Sequence, residues 1–315
     1  MSADLDALAQ TILKDNDLGT YTVPTKGLYP YQWNWDSAFV ALGFASFDID
    51  RAWQEIETLF DGQWPDGMVP HILFHKNDPS YFPGPDIWNA SAGDLQTSGH
   101  SQPPVAATIV RDLYERWPSE NSVARAKALF PKLMRWHRWF ATYRDPQGLG
   151  SVAIIHPWES GRDNLPDWDE PLAGVDTSNV EPYTRKDTAH VDPHMRPRKE
   201  DYDRYMAILG CGRSLDWEPK AVVEQCPFLV ADPGTSLILL RANRDLAALG
   251  KALGFSEELK EIDGWIERLE RGVSDLWNAD LKAHTTRNLR TGNMGTGVSS
   301  AAFLAPYAGI TDPEV

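Results

Sequence analysis

The chain has 315 residues, 42% of them hydrophobic and 24% charged, which is the composition of a soluble globular protein large enough for one big domain or two ordinary ones. Lys and Arg number 30 against 45 Asp and Glu; the net charge of -15 repels phosphate backbones and argues against nucleic acid as a partner. Cys211 and Cys226 make no disulfide framework and read as reduced thiols of a cytoplasmic protein.

The opening MSADLDALAQTILKDND reads as an acidic amphipathic helix without the basic and apolar regions of a secretory signal. No apolar run approaches the length of a membrane span. Asp36 to Phe47 and Asp50 to Phe60 read as two helices joined by a tight turn. Val105, Ile109, Leu113 and Trp117 recur every fourth residue after a start at SQPP. Leu133, Trp136, Phe140 and Tyr143 make the next stripe, with Pro131 as its start or a kink. Gly150 to Ile155 is the best short strand in a chain where alternating patterns are scarce. Asp232 and Pro233 read as an N-cap and first helical residue, followed by Leu239, Ala242, Leu246 and Leu249 on one face. Ser256 is expected to cap a last long helix carrying Leu259, Ile262, Ile266, Leu269, Val273 and Leu276.

About nine or ten antiparallel helices result, at ordinary helix lengths. Loops rich in Pro, Gly, Asp and Asn interrupt them at 61–101, 144–195 and 284–297, and loops of that length in a compact domain usually carry function. The pattern fits an all-α helical toroid, residues 1–315 forming one domain with its loops gathered at one end. Ile310 to Val315 reads as the start of a helix that is not completed, so the chain is expected to be a fragment of a longer protein.

Two loop segments carry chemistry. His156-Pro157-Trp158-Glu159-Ser160-Gly161-Arg162-Asp163-Asn164, running on to Asp169, packs acids, an Arg, an Asn and two Trp together; Tyr29 to Asp36 interleaves aromatics with an acid. Carboxylates and amides hold hydroxyls, and aromatic rings pack on the apolar face of a sugar. Glycoside hydrolysis also needs a protonated carboxylic acid beside the leaving oxygen. Glu159 and Asp163 stand four residues apart, and different surroundings would let one donate a proton while the other stays ionised.

HPWESGRDNLPDWD resembles the acid motif of the (α/α)6-barrel enzymes of glycoside hydrolase family 63 and, more distantly, of trehalases. YPYQWNWDSAF, QWPDGMVPH and SQPP are similar to three further motifs of that family, in order over residues 29–169. Within it the chain looks most like the bacterial mannosylglycerate and glucosylglycerate hydrolases. That resemblance implies an inverting reaction with Asp163 as general acid. It implies a sugar subsite lined by Tyr29, Trp33, Asp36, Tyr81, Gln102, Trp158 and Glu159. It further implies that Arg196 and Tyr202, six apart, grip a glycerate carboxylate. The general base of the family, a Glu in the C-terminal part of the barrel, is expected beyond Val315. The implied partner is a small glycoside; no cofactor or membrane is implied, and a homo-oligomer stays open.

The alternatives are a trehalase-like or oligosaccharide α-glucosidase of the same barrel and a non-catalytic carbohydrate-binding toroid. Metal- and isoprenoid-dependent cyclases find no aspartate-rich or zinc motif. His71 with His75, and His190 with His194, have the spacing of helical metal pairs, but Pro70 and Pro193 break the helices and no third ligand follows. Arg162 and Arg198 are secondary candidates for an anionic subsite, and the loop 284–297 for a lid.

Overall fold

The computed structural model describes residues 2–189 and 191–310. His190 and the helix start expected at 311–313 lie outside the described residues. The long helices are α1 (Ser2–Asn16), α2 (Asn34–Ala45), α3 (Ile49–Asp61), α5 (Ala106–Arg116), α6 (Glu120–Tyr143), α8 (Lys199–Ser214), α9 (Pro219–Gln225), α10 (Pro233–Leu253) and α11 (Leu259–Ser274); α4 (Pro85–Trp88), α7 (Asp169–Ala173) and α12 (Ala305–Ala308) are single turns. The fold is all-α, the (α/α)6 toroid expected from the motifs. Among the described residues no helix is long and apolar enough to cross a membrane.

Local chemistry explains the helix starts. The Asp48 carboxylate accepts from the Arg51 N–H, Ser119 from Ser122, and Asp232 from Gly234 and Thr235, so each satisfies backbone donors that an α-helix start leaves free. Of the two roles expected of Pro131, a start or a kink, the start is corrected: α6 begins eleven residues earlier and Pro131 lies inside it. Ser256 is likewise not the cap of α11; the helix opens after Glu258, without a side-chain cap. The apolar stripes close one core, in which α2 packs on α3 and α10 packs on α5, α6 and α11. Trp53, Trp136, Leu113, Leu240 and Leu246 are fully buried there.

The loops are more ordered than their composition suggests. Among the described residues, the segments between helices hold nine strands of two or three residues: β1 (Gln32–Trp33), β2 (Ile72–Phe74), β3 (Ala90–Ala92), β4 (Leu95–Thr97), β5 (Ala153–Ile154), β6 (Val230–Ala231), β7 (Trp277–Asn278), β8 (Ala283–His284) and β9 (Arg287–Asn288). One sheet runs β1-β2-β4-β3, with Trp33 opposite Ile72 and Leu73 opposite Thr97. It stitches the loop 61–101 to the aromatic segment before α2. A second, β5-β6-β9, ties the acid loop to the start of α10 and to the loop 284–297. That last loop is a short hairpin, closed by Asn288 N–H to Asn293 O (2.9 Å) and an antiparallel Arg287–Met294 bridge, and it does not line the cleft described below.

Candidate active site

These two sheets bring the loop segments around one cleft of about 400 Å³. Nine of the ten residues singled out above line it: Tyr29, Trp33, Asp36, Tyr81, Gln102, Trp158, Asp163, Arg196 and Tyr202. Trp35, His71, Lys186 and Asp187 join them.

The first wall is the segment leading into α2. Trp33 donates its indole N–H to His71 Nε2 (3.2 Å), and Asn34 bonds the carbonyls of Val69 and Pro70, which fixes the strand exit. Behind it the buried Glu55 collects Ser37 Oγ (2.6 Å), Gln32 Nε2 (3.2 Å) and Arg51 Nη2 (2.7 Å). Asp36 lies in the first turn of α2, where the helix dipole favours a carboxylate. Burial outweighs that field and pushes its pKa up to about 6.

The second wall is the acid loop, a short 3-10 turn over Pro157–Ser160 capped by the His156 ring, whose Nδ1 accepts from Trp158 N–H (3.0 Å). Gly161 turns the chain at φ 66°, and Tyr205 holds the Asp163 carbonyl with its hydroxyl (2.8 Å). Burial raises the pKa of the Asp163 carboxyl, with Arg196 pulling the other way. Gln102, from the SQPP segment, closes the cleft between these walls by accepting the Trp35 backbone N–H (3.1 Å).

The third wall is cationic. Asp187 takes both Arg185 (2.6 Å) and Arg196 (2.8 Å), and Arg196 also donates to the Tyr29 hydroxyl (3.2 Å). One face of the Arg196 fork is thereby fixed, leaving N–H donors of a planar, permanently charged group on the cleft wall. Tyr202 lies under the Arg185 guanidinium (4.3 Å to the ring centroid) and donates to the Phe82 carbonyl (3.3 Å).

Glu159 is the exception: it does not line the cleft. It is buried off the cleft wall, and its carboxylate bonds Arg144 Nη2 (2.7 Å), Ser101 N–H (3.1 Å) and Ile155 N–H (2.7 Å). Arg162 is also engaged elsewhere, with both oxygens of Asp232 (2.7 and 2.8 Å), and the exposed Arg198 pairs with Asp201. His71 and His75 serve different partners: His75 stacks on Tyr21 (4.1 Å) and bonds Gln32 Oε1 (2.7 Å).

Sequence reasoning missed a column of buried imidazoles. His71 stacks on His100 (4.8 Å), His100 on His156 (5.3 Å), and His156 lies against Trp158 (4.3 Å). Burial holds all three neutral, His71 and His156 down to a pKa of about 3. His71 closes the QWPDGMVPH motif and His156 opens the acid motif, so the signal lay in their positions beside motif residues.

A deep polar cleft with indole walls, a buried acid of raised pKa and loops gathered on a helical toroid defines a glycoside hydrolase. The comparisons carry this further. Residues 29–315 match the family described as mannosylglycerate hydrolase MGH1-like glycoside hydrolase domain, and the chain belongs to that family. It is similar to a mannosylglycerate hydrolase of Thermus thermophilus, 50% identical over 304 residues (96% of this chain and 73% of that protein). It is similar to the glucosylglycerate hydrolase of Mycolicibacterium hassiacum, 38% identical over 284 residues (85% of this chain and 64% of that protein). The crystal structure of a glycoside hydrolase family 63 mannosylglycerate hydrolase, also of Thermus thermophilus, in complex with Tris and D-glycerate superposes with a TM-score of 0.93 at 50% identity, over 98% of this chain and 73% of that one.

Proposed function

We propose that this chain carries the sugar subsite and the acid of an inverting α-glycoside hydrolase acting on a small glycoside of glycerate, mannosylglycerate or glucosylglycerate. One observation carries the reading: the buried Asp163 shares a cleft with the guanidinium of Arg196 and with the Trp33, Trp158 and Asp36 walls. In this reading the indoles pack on the sugar ring and Asp36 bridges its hydroxyls. Asp163, kept protonated by burial, gives its proton to the leaving oxygen. Arg196 grips the leaving group's carboxylate as a fork, with the Tyr202 hydroxyl beside it. The Arg196 contact is what separates a glycerate glycoside from a neutral disaccharide such as trehalose.

An inverting enzyme also needs a carboxylate base roughly 6.5–9.5 Å from the acid to activate water. Among the described residues the carboxylates on the cleft are Asp36, Asp163 and Asp187, the last held by two arginines. The reading assigns Asp36 to the sugar and takes the base from sequence outside residues 1–315, which it treats as one domain of a cytoplasmic enzyme.

The test is hydrolysis of mannosylglycerate, glucosylglycerate and trehalose by this chain and by a version extended beyond Val315 toward the full length of its relatives, of which this chain covers 73% and 64% in the two named above. Hydrolysis of a glycerate glycoside by the longer protein alone is the expected result. Turnover of trehalose alone would overturn the substrate, and turnover by this chain would put the base within residues 1–315. Arg196→Ala should raise the KM for the glycerate glycoside about tenfold or more, the range of a lost charge-assisted hydrogen bond.

A further inference from the structure

Glu159 stands between two residues of the sugar wall yet points away from the cleft. Its Oε1 takes the N–H of Ser101 (3.1 Å) and a guanidinium N–H of Arg144 (2.7 Å), while its Oε2 takes the N–H of Ile155 (2.7 Å). Ser101 precedes Gln102, which holds the Trp35 backbone beside Asp36. Ile155 precedes His156 and the turn that carries Trp158 and Asp163. Arg144 ends α6, and its carbonyl accepts from Ala153 of β5 (2.7 Å). One carboxylate therefore joins the Gln102 wall, the acid loop and the end of the longest helix.

The ion pair is nearly sealed from water, with the side chains 3% and 5% exposed. Arg144 bonds Glu159 through Nη2, while its Nε and Nη1 have no hydrogen-bond partner among the described residues, and removing either member of the pair would leave the other charge buried and uncompensated. The Ser101 side is tied down again by its hydroxyl, which donates to Val69 O (2.7 Å) and accepts from the Trp136 indole (3.1 Å). The Arg144 plane lies over Trp139 (4.7 Å to the ring centroid).

We infer that the Glu159–Arg144 pair is a positioning device for catalysis: it sets the distance between the acid loop bearing Asp163 and the wall bearing Gln102 and Asp36, without touching the substrate. The inference rests on the glycosidase reading above. It makes Arg144, remote from the cleft, as important to turnover as its partner.

The experiment is a double-mutant cycle in the protein lengthened as above, assayed with the glycerate glycoside that the wild type hydrolyses. Glu159→Gln and Arg144→Met are compared with the joint replacement Glu159→Gln with Arg144→Met. The joint variant leaves no unpaired buried charge and is the one that keeps its fold if a single variant does not. Each folded variant should lose about tenfold to a hundredfold in kcat, the scale of a misplaced catalytic group, while KM changes less than about threefold. The joint variant should be no worse than either single one, because one device is removed in all three.

A loss confined to KM in the Glu159 variant, with Arg144→Met active, would restore direct sugar contact and overturn the inference. So would a folded joint variant with wild-type kcat, which would leave the pair a purely structural role. A wild type that hydrolyses none of the glycerate glycosides would instead defeat the functional reading itself.

Discussion

Gly161 and Trp35 touch across the cleft, joining the two segments that the sequence singles out. A Cβ on Gly161 would collide with Cζ2 and Cη2 of the Trp35 indole. The residue also turns at φ 66°, in the left-handed region that favours glycine. Gly161→Ala should cost about 2–5 kcal/mol from backbone strain and overpacking together. Urea denaturation would measure it, and glycoside binding should weaken in parallel as Trp35 is displaced. A variant with an unchanged midpoint and unchanged binding would disprove the contact.

The Asp163 carboxyl is raised by burial and lowered by Arg196, so the two residues are coupled. A general acid must be protonated to act, and kcat/KM should fall as pH rises through the pKa of free Asp163. That alkaline limb should lie above the ordinary carboxylate range. Removing Arg196 removes the force that favours the ionised form, so Arg196→Ala should move the limb to higher pH. A limb that stays in place, or moves down, would break the assignment. Asp163→Asn should abolish the limb and cost several orders of magnitude in turnover while leaving glycoside binding within a few-fold.

How much of this was legible beforehand follows from where each signal lives. Helix faces are periodic, so Leu239, Ala242, Leu246 and Leu249 pointed to the core side of α10, and all four are buried. Caps need only local chemistry, which is why Asp232 read correctly. Pro131 left a start and a kink open because the sequence does not say whether a helix already runs before it, as α6 does, and Ser256 misled because the turn after Phe255 carries the chain on to Glu258 before α11 opens. Tyr29, Trp33, Asp36, Gln102, Trp158 and Asp163 were legible through ordered motifs, and Arg196 with Tyr202 through their spacing. The orientation of Glu159 was not legible, because adjacency in a motif says nothing of which way a side chain points. Its partner Arg144 is fifteen residues away, with no periodicity linking them. The imidazole column escaped for the same reason, since His71 before β2, His100 after β4 and His156 in the acid loop are far apart in sequence and meet only in the fold, where the His71 N–H bonds the His100 carbonyl (2.8 Å).

That column makes stability depend on pH in a defined direction. His156 accepts the Trp158 N–H at Nδ1, and its Nε2 faces the Tyr205 carbonyl (3.2 Å), an arrangement that needs the neutral ring with its proton on Nε2. Burial drops its folded pKa to about 3 from an ordinary value of 6.5. Between those values the unfolded chain binds a proton that the folded chain does not, so stability rises with pH there and is lost on acidification below about 6.5. Asp36 has the opposite sign: its folded pKa of about 6 lies above its ordinary 3.8, so its contribution declines as pH rises across that interval. Comparing two proteins that differ only at residue 156 cancels that background. His156→Gln should flatten the slope of unfolding free energy against pH, between about 4 and 6, by about 1.4 kcal/mol per pH unit, the value of one proton. Denaturant melts at four pH values would suffice. An unchanged slope would mean that His156 titrates in the folded protein as it does in the unfolded one, and that the column holds no proton away from the ring beneath Trp158.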